Sequence, residues 1–274
     1  MQEITVGFIG GGNMARSLIK GLISTGKLAS TVFASDNDPE KLAELVEESA
    51  IGGCSSNQQL IERSDIVILA VKPQVLKIVC AEIREATAKK RPLIISIAAG
   101  IQLESLYRWL GSDLPVVRVM PNTPALVGCG ASALFAGEQV SVDQRQWAEQ
   151  VLASVGLALW VDNEPQLDAV TALSGSGPAY FFLMLEALEA SAVELGLSAE
   201  VARQLAIQTA LGSAQLAKQS HQAPALLRQQ VTSPGGTTAE GIKAMQEGHF
   251  SAVIDSAVTA AYQRSITLAS ELGE

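Results

Sequence analysis

The sequence predicts a doubly wound, mostly parallel α/β domain followed by an all-helical domain. Residues 4–9 have the pattern of a buried strand, which runs into the spacing Gly10-x-Gly12-x-x-Ala15 and then into a helix. Apolar runs of strand length alternate with helical patterns through the first half, which is typical of a parallel sheet with right-handed crossovers. Only helical patterns follow. We therefore predict two domains, residues 1–162 and 163–274.

The glycine-rich turn predicts a dinucleotide site. Gly10 permits a tight turn, Gly12 lets a pyrophosphate approach the backbone, and Ala15 lets the helix pack closely on the strand. The first N–H groups of that helix and its dipole attract phosphate. A purely structural turn is the alternative, but its position between a strand and an apolar helix pattern favours the dinucleotide.

The other elements of the first domain are predicted from apolar periodicity and helix signals. Asp38 is expected to cap a helix that has Pro39 at its first position. Strands are predicted at 31–35, 51–54, 66–71, 93–97, 116–120 and 157–161, with an antiparallel extension over 128–136.

The end of the second strand leaves the cofactor type open. Asp36 lies where an adenosine ribose is expected, and a carboxylate there accepts hydrogen bonds from ribose hydroxyls and repels a 2′-phosphate. This interpretation favours NAD over NADP. Alternatively, Asp36 and Asp38 only cap the next helix, or Ser35 bonds a 2′-phosphate instead.

Small residues and prolines follow three further strands. Ligands collect beyond the carboxyl ends of strands in open α/β sheets, so these segments are candidates to line a cofactor cleft. They are Ala70-Val71-Lys72-Pro73, Ala98-Ala99-Gly100 and Met120-Pro121-Asn122-Thr123-Pro124.

The second half is unusually apolar for a set of surface helices. Helices are predicted at 167–173, 180–195, 199–218, 239–246 and 252–272. Since a surface helix normally has one apolar stripe, helices that are apolar nearly all round predict a dimer or larger homo-oligomer. Two stretches of this half combine glycines with hydroxyl side chains, which indicates a role beyond packing. They are Ser174–Ala179 and Val231–Ala239. In the second, backbone donors of Gly235 and Gly236 precede two threonines at a helix start, which predicts a carboxylate site.

Composition excludes several classes of function. The 274 residues have a formal net charge of −9 with scattered Lys and Arg, so we expect no nucleic-acid surface. No apolar run is long enough to span a bilayer, and the start does not resemble a secretory signal. Three widely spaced cysteines and two histidines predict neither disulfides nor a metal site and suit a reducing cytosol. We therefore expect a cytoplasmic protein.

Together these motifs resemble the pyrroline-5-carboxylate reductases, over essentially the whole chain. The resemblance is strongest in the last two motifs, which are specific to that family. In order, the matching segments are Gly7–Ala15, Ala70–Gln74, Ser96–Gly100, Met120–Pro124, Asp168–Tyr180 and Val231–Thr238.

The resemblance implies reduction of the cyclic imine 1-pyrroline-5-carboxylate to L-proline by NADPH, with NADH also possible. It implies a Rossmann domain and a helical domain interleaved with that of a partner, in dimers that some members assemble into decamers. The implied cofactor residues are Ile9, Gly10, Gly11, Gly12, Asn13 and Met14 at the pyrophosphate, Ser35 and Asn57 at the adenosine, Ala70, Val71, Lys72 and Pro73 along the cofactor, and Ala98 and Ala99 at the nicotinamide.

The resemblance also implies that one loop, which a partner subunit would supply in the interleaved dimer, holds the substrate. Its residues are Ser233, Gly235, Gly236, Thr237 and Thr238. We hypothesise that the Thr238 hydroxyl bonds the imine nitrogen, because no histidine or acid in the motifs is positioned to do so. The chain departs from some relatives at Gln230, and Asp36 leaves the cofactor preference open.

The sequence supports two other functions less well. A 3-hydroxyacid dehydrogenase of similar architecture would place a catalytic lysine on the long helix, but residues 178–195 contain none. A regulatory protein that binds NAD(P) without turnover would have no use for the loop at 233–238.

Overall fold

The computed structural model describes residues 4–111 and 113–273. Its strands form one eight-stranded sheet within the described residues, in the order β3-β2-β1-β4-β5-β6-β7-β8. The strands are β1 (Val6–Ile9), β2 (Val32–Ser35), β3 (Gly52–Gly53), β4 (Ile66–Leu69), β5 (Leu93–Ser96), β6 (Val116–Met120), β7 (Gly130–Ala136) and β8 (Gly156–Trp160).

The helices that follow these strands are α1 (Asn13–Ser24), α2 (Pro39–Ser49), α3 (Asn57–Arg63), α4 (Pro73–Lys90), α5 (Leu103–Leu110) and α6 (Val142–Ala153). The later helices are α7 (Gln166–Val170), α8 (Gly177–Glu194), α9 (Ala199–Ser220), α10 (Pro224–Gln230), α11 (Thr237–Glu247) and α12 (Phe250–Gly273), and a π-helical turn (Thr171–Gly175) links α7 to α8. The sequence pattern did not predict α10.

The topology confirms the predicted doubly wound sheet. β1 pairs in parallel with both β2 and β4, so the strand order reverses between β1 and β4. The carboxyl ends of these strands therefore meet at one edge, where ligands bind in open α/β sheets. β6 and β7 pair antiparallel, which confirms the predicted antiparallel extension.

Helices cover both faces of the sheet, which explains the continuous apolar strand runs. On one face, Phe8 of β1 is buried in the same cluster as Leu18 of α1. On the other, Ile9 is buried with Leu60 of α3 and Leu76 of α4. Alternate residues of β1 thus serve two cores, and the strand is held rigidly beneath the turn that follows it.

Local signals explain where several helices begin. The Asp38 carboxylate accepts from the N–H groups of Glu40 and Lys41 at 3.1 and 3.2 Å, and Pro39 occupies the first helical position of α2. Both features confirm the prediction. Ser141 and Gln144 form a reciprocal capping box at the start of α6.

The described chain divides into two compact units. One comprises the residues up to Ser176 and those from Ala261 onward, and the other is Gly177–Ala260. The predicted boundary between residues 162 and 163 thus lies inside the first unit. In that unit, Ser265 on the last part of α12 donates to Asp168 Oδ1 at 2.7 Å. Helical periodicity reveals that α7 and α12 are helices, but it does not reveal which unit they pack against.

The second unit exposes many large apolar side chains. Phe181, Phe182 and Leu183 on α8 are each about two-thirds exposed. Leu205 and Leu211 on α9 are about half exposed. Such a large apolar surface on a single chain is typical of an association surface.

None of the described helices combines the length and apolar character needed to cross a membrane.

Candidate functional site

The glycine-rich turn is held against the end of the neighbouring strand. Gly10 has a φ of +99°, and a Cβ at this position would lie 2.7 Å from the Ala70 carbonyl oxygen. Its N–H donates to the Ser35 carbonyl at 2.8 Å. Only glycine tolerates both the left-handed backbone and this close approach.

The start of α1 is open to a ligand. Gly12 precedes the 12-residue helix, and no side chain caps its first turn. A Cβ on Gly12 would meet nothing within 4 Å. The first N–H groups, at Asn13 and Met14, therefore point out of an uncapped helix end that suits a pyrophosphate.

Asp36 connects the glycine-rich turn to the start of α2. Its Oδ2 accepts from the Gly11 N–H at 2.7 Å, and its Oδ1 accepts from the Asp38 N–H at 3.0 Å. The Lys41 ammonium lies 3.7 Å from Oδ2, and the Asp36 side chain is only 5% exposed. Neither sequence interpretation of Asp36 included the bond to Gly11, which joins residues 25 positions apart.

Ser35, Asn57 and Glu82 form a hydrogen-bonded chain beside this turn. The Ser35 hydroxyl donates to Asn57 Oδ1 at 2.7 Å, and Asn57 Nδ2 donates to Glu82 Oε2 at 3.1 Å. Ser35 ends β2, Asn57 begins α3 and Glu82 lies on α4. Three elements therefore contribute to one polar network.

A cavity of about 290 Å³ lies at the carboxyl ends of β1 and β2. One wall is apolar and comes from Val71 and from α4, whereas the other end is polar. The lining residues are Ile9, Gly10, Ser35, Asp36, Asn37, Asn57, Val71, Val75, Ile78, Val79 and Glu82. An apolar wall facing hydroxyl and amide groups suits a nucleoside, with its base on the wall and its ribose at the polar end.

The structure adds cavity residues that the sequence analysis missed. Val75, Ile78 and Glu82 lie along one face of α4, at helical spacing. Ile78 is 70% exposed. The sequence does show large apolar residues on the outer face of this amphipathic helix. It does not show that they line a cavity, because that depends on which residues lie opposite them in the fold.

The other predicted strand-end residues lie in the same unit. Lys72 is the exposed residue before α4, and Pro73 is the first residue of that helix. Ala98 is buried and Ala99 is exposed only in part. These residues follow β4 and β5, which are adjacent in the sheet.

Two motifs that are far apart in the sequence meet beyond β6. Asn122 Nδ2 donates to the Ser174 carbonyl at 3.0 Å, and Asn122 Oδ1 accepts from the Ala131 N–H at 2.8 Å. The Ser176 N–H donates to the Thr171 carbonyl at 2.8 Å, which is the π-helical pattern. Asn122 therefore holds the π-helical turn, a type of turn that is frequent at functional sites.

The loop at 233–238 belongs to the second unit. Gly235 has a φ of +70°, and the Gly236 N–H donates to the Ser233 carbonyl at 3.0 Å. α11 begins at Thr237 without a side-chain cap. Thr237 and Thr238 are exposed. Among the described residues, the Thr238 hydroxyl has no hydrogen-bond partner, so it is available to a ligand.

The two buried cysteine thiols are poorly suited to act as nucleophiles or metal ligands. Burial raises the pKa of Cys80 to about 12, and burial also raises the pKa of Cys54. Both therefore stay protonated near neutral pH, and a protonated thiol is a poor nucleophile and metal ligand. No group of three or more metal-ligating side chains occurs among the described residues.

Comparison with known proteins identifies the family. Residues 164–268 match the family model for pyrroline-5-carboxylate reductase dimerisation. Residues 5–100 match the model for NADP oxidoreductase, coenzyme F420-dependent. The chain is 51% identical over 274 residues to the pyrroline-5-carboxylate reductase of Pseudomonas aeruginosa, covering 100% of both chains. The chain belongs to the pyrroline-5-carboxylate reductase family.

Solved structures of the family agree with this fold. The pyrroline-5-carboxylate reductase from Coxiella burnetii matches with a TM-score of 0.94 at 42% identity, covering 97% of this chain and 99% of that one. The Plasmodium falciparum pyrroline carboxylate reductase, solved with NADP bound, matches with a TM-score of 0.86 at 31% identity, covering 98% of this chain and 99% of that one. The resemblance inferred from sequence motifs is thus confirmed, and the family's dimerisation region lies in the C-terminal part.

Proposed function

We propose that this protein reduces 1-pyrroline-5-carboxylate to L-proline, the final step of proline biosynthesis, with NADPH as donor and NADH also accepted. The observation that carries the proposal is the full-length match to a pyrroline-5-carboxylate reductase at 51% identity. The open glycine-rich turn and the adjoining cavity support it independently.

In this proposal the first unit holds the nicotinamide dinucleotide. Residues 9–14 bind the pyrophosphate through the uncapped start of α1, and Ser35 and Asn57 bind the adenosine. Ala70–Pro73 run along the cofactor, and Ala98 and Ala99 flank the nicotinamide. When bound, the reduced nicotinamide supplies a hydride, and the protein contributes position and electrostatics.

The loop Ser233–Thr238 is proposed to hold the imine acid. The N–H groups at the start of the 11-residue helix α11 suit its carboxylate, because the positive end of the helix dipole lies there. The Thr238 hydroxyl donates a hydrogen bond to the imine nitrogen and relays to it, from water, the proton that the nitrogen takes up when the hydride reaches the carbon. This bond withdraws electron density from the C=N carbon and makes it a better hydride acceptor.

The C-terminal region, residues 163–274, is proposed to bind substrate and to form a homodimer, and the dimers are proposed to assemble further into a decamer. The exposed apolar side chains of α8 and α9 support this role. A cytoplasmic location stays a prediction from cysteine usage.

The test is a spectrophotometric assay with purified protein. We expect loss of NADPH absorbance, and separately of NADH absorbance, only when 1-pyrroline-5-carboxylate is added. Light scattering should give the mass of a dimer or a multiple of it. A folded oligomer that oxidises neither cofactor in the presence of the imine would refute the proposal.

A further inference from the structure

We propose that Lys41 and Asn37 hold the 2′-phosphate of NADPH, and that Lys41 allows the site to accept this phosphate although Asp36 lies beside it. The inference rests on the proposed function, in which a nicotinamide dinucleotide binds in the cavity at the ends of β1 and β2. NADPH differs from NADH only in the phosphate on its adenosine ribose, so a contact to that phosphate sets the cofactor preference.

The Asp36 carboxylate is already occupied by the backbone. Its Oδ2 accepts from the Gly11 N–H at 2.7 Å, and its Oδ1 accepts from the Asp38 N–H at 3.0 Å. The side chain is only 5% exposed. An acid at the end of this strand marks NAD enzymes when it binds the ribose hydroxyls. Here both oxygens hold the chain around the turn, so the presence of Asp36 does not by itself select NADH.

The remaining obstacle to a phosphate is the negative charge of Asp36. Burial of this carboxylate weakens the screening of its charge by water. The Lys41 ammonium lies 3.7 Å from Asp36 Oδ2 and offsets that charge. Lys41 lies in the first turn of α2, directly after the loop that leaves β2. Glu82, another acid that lines the cavity, is exposed and therefore well screened.

Lys41 and Asn37 both have donors to offer to a ligand. At 3.7 Å the Lys41 ammonium is beyond hydrogen-bond distance of Asp36, and its side chain is 41% exposed, so it is able to turn toward the cavity. Asn37 is exposed and lines the cavity. A phosphate presents only strong acceptors when it is fully ionised, and an ammonium and an amide NH₂ group supply the donors that it requires.

The neighbouring arginine is engaged elsewhere. Arg16 Nη2 lies 3.4 Å from a Glu44 oxygen, and Arg16 Nη1 donates to Glu48. Nη2 also donates to the Lys41 carbonyl at 3.5 Å. Among the described residues that line the cavity there is no lysine or arginine. Lys41 is therefore the cation that the fold places beside the end of β2.

The test is calorimetric binding of two adenosine fragments, adenosine 2′,5′-bisphosphate and AMP, to the full-length protein. We expect Lys41→Met to weaken binding of the bisphosphate relative to AMP about 10-fold, because a hydrogen bond to a charged group is worth roughly this much. Lys41→Arg keeps the charge and should keep most of the preference. Asn37→Asp replaces the amide donors by a negative charge and should also lower the preference. The ratio of kcat/KM for NADPH to that for NADH should change in the same direction.

Lys20→Met is the matched control. Lys20 is an exposed lysine on α1 that lines a different cavity, so this variant should bind both fragments as the wild type does. A second pair of variants separates direct contact from compensation of Asp36. Because Asp36→Asn removes the charge that Lys41 offsets, a direct contact predicts that Lys41→Met still weakens bisphosphate binding in the Asp36→Asn background.

Three results would count against the inference or its basis. An unchanged preference in Lys41→Met, or the same loss in Lys20→Met, would overturn the inference while leaving the reductase activity standing. No effect of Lys41→Met in the Asp36→Asn background would overturn the direct contact. If the folded wild-type protein binds neither fragment nor either intact cofactor, the proposed cofactor site itself is wrong.

Discussion

Replacing Asp36 by asparagine should loosen the glycine-rich turn. Asp36 uses both carboxylate oxygens as acceptors, one for the Gly11 N–H at 2.7 Å and one for the Asp38 N–H at 3.0 Å. Asparagine has the same shape but only one acceptor. In either orientation, its NH₂ group must face one of the two backbone donors.

The magnitude follows from burial and charge. A hydrogen bond to a charged group is worth about 1.5–3 kcal/mol, and a buried donor left without a partner costs about 1–3 kcal/mol. The Asp36 side chain is 5% exposed, so little water can replace the lost bond. Lys41 contributes little, because its side chain is 41% exposed and its ion pair is screened. We expect Asp36→Asn to lower the free energy of unfolding by about 2 kcal/mol and the Tm by about 4–8 °C.

The assay is urea unfolding at fixed protein concentration, since association contributes to apparent stability. Asp38→Asn is the matched control. It makes the same charge change two residues away, but Asp38 uses one oxygen for both of its N–H partners. Because asparagine caps helices as well as aspartate does, this variant should stay close to wild type.

Calorimetry of NADP⁺ binding gives a second readout. The Gly11 N–H lies in the turn that is proposed to hold the pyrophosphate, so Asp36→Asn should also weaken NADP⁺ binding. If Asp36→Asn and Asp38→Asn unfold at the same urea concentration and bind NADP⁺ equally well, Asp36 does not hold the turn and the reasoning fails.

Three further variants test the glycine-rich turn, the proposed substrate loop and a partly buried carboxylate. Gly10→Ala should weaken NADP⁺ binding at least about 10-fold in calorimetry, because a Cβ at this position would lie 2.7 Å from a carbonyl oxygen. Gly26→Ala is the control, since Gly26 has a similar φ of +96° but open space around its Cβ position, and this variant should bind NADP⁺ as the wild type does. Thr238→Ala should lower kcat/KM about 10- to 1000-fold and Thr238→Ser should restore most of it; full activity in the alanine variant would exclude the proposed role. Partial burial tends to raise the pKa of Asp65, but hydrogen bonds from Thr5 and Lys90 lower it overall. The Asp65 carboxylate should therefore stabilise the folded state fully above its unfolded pKa of about 3.9, and this stabilisation should disappear as the pH falls through the lower folded pKa. In urea unfolding, the free energy of unfolding of Asp65→Asn should therefore fall less at acid pH than that of the wild type. A variant with the same pH profile as the wild type would contradict this.

Features encoded over short distances were predictable. The strand before Gly10, the glycine spacing and the proline start of α2 follow from steric preferences within a few residues. The buried runs of β4 and β5 indicated central parallel strands because both faces of such strands are covered. The family motifs also predicted the class of activity, because the motifs and their order can be recognised along the chain without knowing which residues are in contact.

The cofactor cavity was only partly predictable. Ser35 and Asn57 were named from the resemblance, but their bond to one another and to Glu82 depends on the packing of α3 and α4. Asp36 was interpreted as a ribose ligand or a helix cap, whereas its shortest bond is to Gly11. Each contact joins residues more than 20 positions apart, and no periodicity specifies such a pairing.

The order and type of the main elements, the glycine-rich turn at the start of α1 and the family can all be inferred from the amino-acid sequence. These depend on backbone sterics and hydrophobic periodicity, which act locally. Three other features become visible only in the folded chain: Asp36 holds the glycine-rich turn, Asn122 holds the π-helical turn, and the end of α12 belongs to the same unit as the sheet. These contacts depend on which polar groups meet after the strands align, and a buried group takes whichever partner the packed elements bring within reach.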